Sequence, residues 1–446
     1  MDENAQKTLD RALEQLSEWK ASFGEWEQDD SLSVSEKKEQ EVFARLVQRL
    51  KCNFPFHHPV YAGQMLKPPH PLTWAAYAMA MSINPNNHAL DGGPPSSEME
   101  KEVLADLAHF FGYGEEFLGH LTASGTIANL EALWVARESH PDKKIAFSEN
   151  SHYTHHRMCG VLRVEGIKVP LKDDGSFDLD ATDPQEMGTI VVTLGTTGLG
   201  EVEPLDQILP WAKKHGIRIH IDAAYGGFFR TLKDSGIIDG TCWKLMEEAD
   251  SIVVDPHKHG LQPYGCGCVL FKDPTVGKFY KHDSPYTYFT SEDLHLGEIS
   301  LECSRAGAAA VALWATLQLF PLEEEEGFGP VLKKCLQAAQ NMYELISTSE
   351  KLKAYKKPEL DILGYFPAEA ETTSEISEKS KAVFDAGMRE QSFYLSLYKI
   401  PAGTFTQLHP EYNVDSDQVT ILRSVFMKPE QKAFVKELLQ RIEKAI

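Results

Sequence analysis

The sequence predicts an α/β protein in which a mainly parallel sheet is covered by helices. Between about residues 100 and 272, helix-like stretches alternate with short runs of β-branched residues, as in parallel sheets with helical crossovers. The 446 residues are enough for two or three packed units. Hydrophobic residues form 42% and charged residues 25% of the chain, which is ordinary for a globular protein and argues against disorder.

The first part of the chain predicts a helical arm followed by a large sheet-containing domain. A charged stretch with helical periodicity predicts the arm over residues 1–60. The large domain is expected over residues 61–325. Its β-branched runs predict strands at residues 145–147, 189–193, 217–221 and 251–254.

The remaining chain predicts a smaller C-terminal α+β domain over residues 326–446. An alanine-rich helix at residues 306–319 is expected to lead into it, and a second helix is expected to begin near Val331. Further elements of this domain are predicted as strands at residues 393–397 and 419–423 and a closing helix at 429–446.

The composition favours a cytoplasmic protein that binds neither nucleic acid nor membrane. The formal net charge of −22 would repel a phosphate backbone. Seven scattered cysteines lack the spacing of a disulfide framework, which fits a reducing compartment. The sequence shows neither a secretory signal nor a sufficiently long apolar span.

The most informative segment is residues 251–260, an apolar strand that runs into Lys258 between two histidines. Active sites collect at the carboxyl ends of parallel strands. Low-dielectric surroundings and neighbouring cations would lower the pKa of Lys258 and make its amine nucleophilic. This position therefore predicts a lysine that forms an imine, although a surface lysine after a strand is the ordinary alternative.

A second strand, residues 217–221, ends in Asp222 and is followed by small residues and glycines. Small residues such as Ala224 allow a flat ring to approach the backbone. A carboxylate at a pyridine nitrogen would keep that nitrogen protonated and strengthen the ring as an electron sink. Asp222 is the candidate for this role, and a helix cap or turn aspartate is the alternative.

Three further segments carry candidate binding residues. Ser124, Gly125 and Thr126 begin a helix, where free N–H groups and the helix dipole attract anions, although simple capping is common there. His152 and Thr196 each follow a predicted strand, and an imidazole such as His152 can stack on a pyridine ring. His152, His155 and His156 have helical ligand spacing, but without an acidic partner motif we expect no metal.

Taken in order, these segments resemble the group II decarboxylases of amino acids that depend on pyridoxal 5′-phosphate (PLP). Relatives of that group include glutamate, tyrosine/aspartate and aromatic amino-acid decarboxylases. The resemblance runs from about Asn84 to Arg423. Its most specific pieces are His220-Ile-Asp222-Ala-Ala224, Asp255-Pro-His-Lys258 and Gly260-Leu-Gln-Pro263-Tyr-Gly265-Cys-Gly267. It implies the PLP-dependent transferase-like fold (fold type I), with a mainly parallel seven-stranded sheet in the large domain.

The resemblance also implies roles for the candidate residues. Lys258 would hold PLP as a Schiff base, Asp222 would pair with the ring nitrogen, and His152 and Ala224 would lie on the two ring faces. Other residues implied to contact the cofactor are Ser124, Gly125, Thr126, Thr196 and His257. Ser304, within Cys303-Ser-Arg-Ala-Gly307, matches an element that reaches the phosphate from the neighbouring subunit, which implies a homodimer with shared active sites.

The implied reaction converts an L-amino acid to a primary amine and CO₂ through a Lys258 aldimine and a quinonoid. Arg423 matches a carboxylate-binding arginine, whose planar guanidinium suits a bidentate grip, and Thr196 would lie near the substrate. Tyr288 or Tyr286 would protonate the quinonoid. The same cofactor also permits aldehyde-forming oxidative deamination, retro-aldol cleavage or transamination, and a catalytically silent scaffold is the non-enzymatic alternative.

Overall fold

The computed structural model describes residues 3–172, 177–281 and 296–446. The α-helices of these residues are α1 (Glu3–Ala21), α2 (Glu36–Leu50), α3 (Pro71–Met81), α4 (Pro94–Phe111), α5 (Gly125–Ser139), α6 (Thr154–Leu162), α7 (Leu205–His215), α8 (Thr241–Lys244), α9 (Gly307–Leu319), α10 (Phe328–Ser347), α11 (Thr373–Glu390), α12 (Ala402–Leu408) and α13 (Gln431–Glu443). Both helices expected around the 325/326 boundary and the closing helix are confirmed, as α9, α10 and α13. The boundaries at residues 60 and 325 stay predictions.

The strands form two sheets within the described residues. The first contains β1 (Leu118–Thr122), β2 (Lys144–Ser148), β3 (Gly166–Val169), β4 (Met187–Thr193), β5 (Arg218–Asp222), β6 (Ser251–Val254) and β7 (Gly267–Phe271). The second contains β8 (Leu352–Ala354), β9 (Ile362–Pro367), β10 (Ser396–Pro401) and β11 (Gln418–Val425).

The larger sheet has the order β1-β7-β6-β5-β4-β2-β3. Strand β7 is antiparallel to β1 and β6, and the other neighbouring strands are parallel. All residues of β4 and β6 are buried, which is the burial expected of strands covered by helices on both faces. The predicted α/β class and the mainly parallel seven-stranded sheet are therefore confirmed.

The smaller sheet is antiparallel, with the order β10-β11-β9-β8. The strand predicted at residues 393–397 is partly wrong, because β10 begins only at Ser396. Tyr394 instead pairs with Tyr61, from the segment before α3, in an isolated bridge. This segment is therefore joined to the N-terminal part of the chain, a contact that local sequence pattern cannot reveal.

The register of the parallel strands places polar residues at one edge of the larger sheet. Thr193 at the end of β4 lies opposite Asp222 at the end of β5, and Asp222 lies opposite Val253 of β6. The chain leaving β6 then leads through Asp255 to Lys258.

Among the described residues, no helix is both long and apolar enough to cross a membrane.

Candidate active site

A cleft of about 180 Å³ opens where β4, β5 and β6 end against the start of α5. Lys258 and Asp222 both line it, as the sequence predicted for two different strand ends. The other predicted residues that line this cleft are Ser124, Gly125, Thr126, His152, Ala224 and His257. Parallel strands bring these residues together because their carboxyl ends share one edge of the sheet.

Lys258 forms an ion pair with the carboxylate of Asp255, three residues before it. The Nζ to Oδ2 distance is 3.0 Å, and the Lys258 side chain is 22% exposed. Burial lowers the pKa of Lys258, but the charges of Asp255 and Asp222 outweigh burial and leave that pKa above its ordinary value. The expected lowering of this pKa is therefore wrong for the cleft as described, because two carboxylates lie near the amine and no cation outweighs them.

Asp222 is buried at the end of β5 and accepts two hydrogen bonds. The Nε2 of His155 lies 2.8 Å from Oδ2, and the backbone N–H of Ala224 donates to Oδ1 at 3.1 Å. Burial raises the pKa of Asp222, but the hydrogen bond and charge of His155 and the charge of Lys258 lower it more, so the pKa lies below its ordinary value. Asp222 is therefore held as a carboxylate inside the protein.

His152 borders the same cleft just after β2, and its ring orientation is fixed locally. Its Nδ1 lies 2.7 Å from the Thr154 hydroxyl and accepts the Thr154 N–H at 3.3 Å. The pKa of His152 is lowered, chiefly by burial. The ring is thus neutral, with its proton on Nε2, and presents a flat aromatic surface to the cleft.

The start of α5 forms one end of the cleft and is held against Asp255. Ser124 caps the helix by accepting the N–H of Ile127. A Cβ on Gly125 would lie 2.5 Å from Oδ2 of Asp255, so only glycine allows this close approach. The first N–H groups of a helix have no intrahelical partners, which makes this end suitable for an anion.

A buried chain of hydrogen bonds connects β5 to this helix start. His220 Nε2 lies 2.8 Å from Oδ1 of Asn129, whose amide donates to the carbonyl of Gly125 at 2.9 Å. Burial lowers the pKa of His220 to about 3, so the ring is neutral. His220 and Asn129 therefore position the helix end without carrying charge.

His257 is fixed beside Asp255 on the chain leaving β6. Its Nδ1 lies 2.7 Å from the carbonyl oxygen of Cys266 and donates to it, and its Nε2 lies 3.5 Å from Asp255 Oδ2. The Tyr264 ring lies against it, with centroids 4.8 Å apart. His257 thus closes the cleft on the side of the helix start.

A second cavity of about 340 Å³ shares His152 and Thr197 with the cleft. Arg423 lines it but is only 5% exposed. Four of the five guanidinium N–H groups are engaged, by the carbonyls of Gly198, Gly63 and Thr197 and the hydroxyl of Ser396. One N–H has no acceptor among the described residues, so the expected bidentate grip on a carboxylate does not fit this arrangement.

Thr196 and Ser304, both predicted to contact the cofactor, do not line the cleft in the part of the chain that the structure describes. Thr196 is buried and bonds to Glu201, with its hydroxyl 3.3 Å from Oε2, while Thr197 lines both cavities. Ser304 is exposed and accepts a hydrogen bond from Asn86 at 3.3 Å. Tyr288 and its alternative Tyr286 lie outside the described residues.

Sequence reasoning missed several polar residues of the site. Asp255 and Asn129 line the cleft, and His155 contacts Asp222 from behind it. Gln64 lines the second cavity from the segment before α3. The position of Asp255, three residues before Lys258, could have indicated an ion pair between them. The contact of His155 with Asp222 had no such indication, because His155 is one of three similar histidines after β2.

The chain matches known proteins along most of its length. Residues 27–364 match the pyridoxal-dependent decarboxylase conserved domain. An L-tyrosine decarboxylase of Enterococcus faecium is 26% identical, over 91% of this chain and 88% of the relative. A probable L-tyrosine/L-aspartate decarboxylase of Methanosphaera stadtmanae is 27% identical, over 68% and 77%. The crystal structure of mouse CSAD superposes with a TM-score of 0.78 at 19% identity, over 94% and 93%.

Proposed function

The chain belongs to the pyridoxal-dependent decarboxylase family, and we propose that Lys258 carries the cofactor while an L-amino acid with an acidic or aromatic side chain loses its carboxyl group beside it. The enzyme is a PLP-dependent carboxy-lyase. The observation that carries the site assignment is the convergence of Lys258, Asp222 and the start of α5 on one cleft.

The residues of the cleft fit the separate chemical groups of PLP. The amine of Lys258 suits its aldehyde, and the N-terminus of α5 with Ser124 and Thr126 suits its phosphate. Asp222 supplies a buried negative charge for a protonated ring nitrogen. His152 and Ala224 border the space between these ends. Asp255 Oδ1 is buried without a hydrogen-bond partner among the described residues, so this cleft still has an acceptor to satisfy.

When bound, PLP supplies an electron sink for the bond that breaks at the substrate Cα. Lys258 must give up a proton before its amine can react, and Asp255 Oδ2, at 3.0 Å, is placed to hold that proton. Asp222 remains ionised because His155 donates to it. The neutral imidazole of His152 would lie against one face of the bound ring, and its neutrality would avoid repelling a protonated ring nitrogen.

The second cavity supports binding of the substrate next to His152. It combines Arg423 with Gln64 and two tyrosines, Tyr153 and Tyr398. The N–H of Arg423 that has no acceptor among the described residues can donate a single charge-assisted hydrogen bond to a carboxylate oxygen of the substrate. These groups suit an acidic or aromatic side chain, and two relatives bear names that include tyrosine, one of them also aspartate.

The direct test is a panel of L-amino acids given to the PLP-loaded enzyme. We expect stoichiometric CO₂ and primary amine from tyrosine, aspartate or another acidic or aromatic substrate. Aldehyde with ammonia, or amino transfer to a keto acid, would instead show one of the alternative PLP reactions. Borohydride reduction followed by peptide mass mapping should place the cofactor on Lys258, and a label on another lysine would contradict the assignment.

A homodimer with shared sites is supported by two features of the chain. Helix α2 has no buried residue, and its apolar side chains form one exposed stripe: Val42, Phe43, Leu46, Val47 and Leu50. Glu302, two residues before Ser304, accepts the N–H of Ala123 at 2.8 Å, so the segment lies next to the loop before α5. A second copy would cover the stripe and bring its Ser304 to the neighbouring cleft.

Mixed dimers test the shared sites. Chains carrying Lys258→Ala should be inactive, and chains carrying Ser304→Asp should bind PLP poorly because a carboxylate would repel the phosphate. If Ser304 acts on its neighbour, mixing the two variants restores one intact site in each mixed dimer and recovers part of the activity. A monomer in solution, or no recovery after mixing, would contradict the shared arrangement. The cytoplasmic location stays a prediction.

A further inference from the structure

A third cavity, of about 610 Å³, lies at the start of α3, apart from the cleft that contains Lys258. None of the described residues that line it also lines the cleft or the cavity beside Arg423. Much of its wall is apolar and includes Trp74, Leu261 and Phe320. Leu261 follows Lys258 by only three residues, so the segment that leaves β6 contributes to the lining of both cavities.

Lys67 lines this cavity, and no charge or polar atom of the described residues pairs with its ammonium group. The residue is 8% exposed, and its Nζ is buried without a hydrogen-bond partner. Glu430 and Asp361 attract it at longer range, without forming an ion pair. The Asp361 carboxylate already accepts from the Tyr225 hydroxyl at 2.6 Å and lies 3.2 Å from His259 Nε2. Lys67 is therefore a buried cation without an ion-pair partner among the described residues, a costly state that a bound anion would relieve.

Two other features make the same cavity electropositive. Lys428 also lines it, is 4% exposed and donates to the carbonyl of Tyr61 at 2.7 Å. The N-terminus of the eleven-residue helix α3 lies there too, with Pro71 in the first turn and His70 accepting the N–H of Leu72. Burial lowers the pKa of Lys67 and lowers that of Lys428 to about 8, and the charge of Glu430 only partly offsets burial at each lysine. Glu430 is the acidic residue of the lining.

We propose that this cavity binds a small organic anion, a carboxylate carried on an apolar body. The carboxylate would pair with Lys67 and Lys428 near the start of α3, and the apolar body would lie against Trp74, Phe320 and Leu261. An inorganic anion suits the cavity less well, because the apolar wall cannot replace its hydration. The site is separate from the catalytic cleft and is not required for the decarboxylation.

Calorimetric titration of the PLP-loaded enzyme with benzoate tests the proposal. We expect saturable binding of one benzoate per subunit, at least tenfold weaker binding of the neutral benzamide, and no measurable binding of inorganic phosphate. Lys67→Met should weaken benzoate at least tenfold. Lys214→Met, which removes an exposed lysine on α7, is the matched control and should not change the affinity. Equal benzoate affinity in wild type and Lys67→Met would overturn the proposal.

The location of bound benzoate is tested with Arg423→Met, which alters the cavity beside His152. Unchanged affinity in that variant supports the site at α3. Loss of affinity there, with none in Lys67→Met, would place benzoate in the substrate cavity and refute the separate site. Glu430→Gln removes the acidic side chain of the lining, so it should tighten benzoate several-fold; weaker binding would also count against the proposed pairing.

Thermal unfolding keeps the test decisive if one variant binds nothing at all. Without benzoate, Lys67→Met should melt above wild type, because it removes an unpaired buried charge and keeps most of the side-chain stem. Benzoate should raise the melting temperature of wild type but not of the variant. If Lys67→Met melts below wild type and breaks the dimer, the cavity is filled by the second subunit and the proposal is wrong.

Discussion

Lys258 and Lys67 are both enclosed by protein, but the charges around them differ. Lys258 lies 3.0 Å from the carboxylate of Asp255 and is also attracted by the charge of Asp222, so its pKa is raised despite burial. Lys67 has no ion-pair partner among the described residues, and burial lowers its pKa. The protein thus stabilises the charged form of Lys258 in the cleft and destabilises the charged form of Lys67 in the cavity at α3.

The difference shows that counter-charges, more than burial, decide the state of an enclosed ionisable group in this protein. Two carboxylates show the same contrast. Asp222, paired with His155, has a lowered pKa, whereas Glu203 is bonded by the hydroxyl of Ser148 and the N–H of Thr193 and has its pKa raised by burial to about 7. Paired groups suit catalysis that needs a fixed charge, and unpaired groups are available to respond to a ligand or to pH.

The largest expected effect separates the two lysines. Lys258→Ala should lower kcat/KM by about 10³-fold or more, because it removes the amine proposed to hold the cofactor. Lys67→Met should retain kcat/KM within about threefold, because it lies outside the catalytic cleft. Steady-state assays of amine formation measure both, with circular dichroism as the folding control. A comparable loss in the two variants would abolish the contrast between the two sites.

A smaller effect is expected from the partners that keep Asp222 charged. Asp222→Ala should lower kcat by about 10²-fold or more, and His155→Ala by about tenfold. Removing His155 also removes the main cause that lowers the pKa of Asp222, so the acidic limb of the kcat profile should move to higher pH. His155→Gln, which keeps an N–H donor, should restore part of the rate. An unchanged acidic limb in His155→Ala would show that the histidine has only a packing role.

The pairing of Lys258 with Asp255 can be broken directly. Asp255→Asn should lower the pKa of Lys258, because the charge of Asp255 is the largest cause that raises it. Since only the neutral amine reacts, the pH dependence of PLP incorporation into the cofactor-free protein should move down by about one pH unit or more. Absorbance of the incorporated cofactor follows the reaction. Asp385→Asn on α11 is the control, and an identical shift in both variants would argue against a specific ion pair.

The smallest expected effect concerns Glu203, the buried carboxyl without a cationic partner. Its pKa is raised from 4.5 to about 7, so the folded protein binds more protons than the unfolded chain between those pH values. Stability should therefore fall as pH rises through this window, by about 1 kcal/mol between pH 5.5 and 6.5. Urea unfolding should show a shallower fall in Glu203→Gln. Identical pH dependence in the two proteins would mean that Glu203 ionises normally.

The residues proposed to contact the cofactor were easier to predict than the contacts of Arg423 in the cavity beside His152. Lys258, Asp222 and Ser124 each lie at the end of a strand or the start of a helix, and both positions can be recognised in local sequence. Arg423 was recognised by its strand, but its engagement by four acceptors was not, because those acceptors come from three separate segments of the chain.

The sequence by itself determined the α/β class, the positions of the strands that carry the site, and the placement of Lys258 and Asp222 after two of those strands. These features follow from hydrophobic periodicity and from residue types at strand ends, which act over a few neighbouring residues. Only the tertiary structure decided which charges surround each buried group: His155 bonds Asp222, two carboxylates lie near Lys258, and no described carboxylate forms an ion pair with Lys67. Those contacts join residues far apart in the chain, and the energy of a buried charge depends on distances in space that no local pattern specifies.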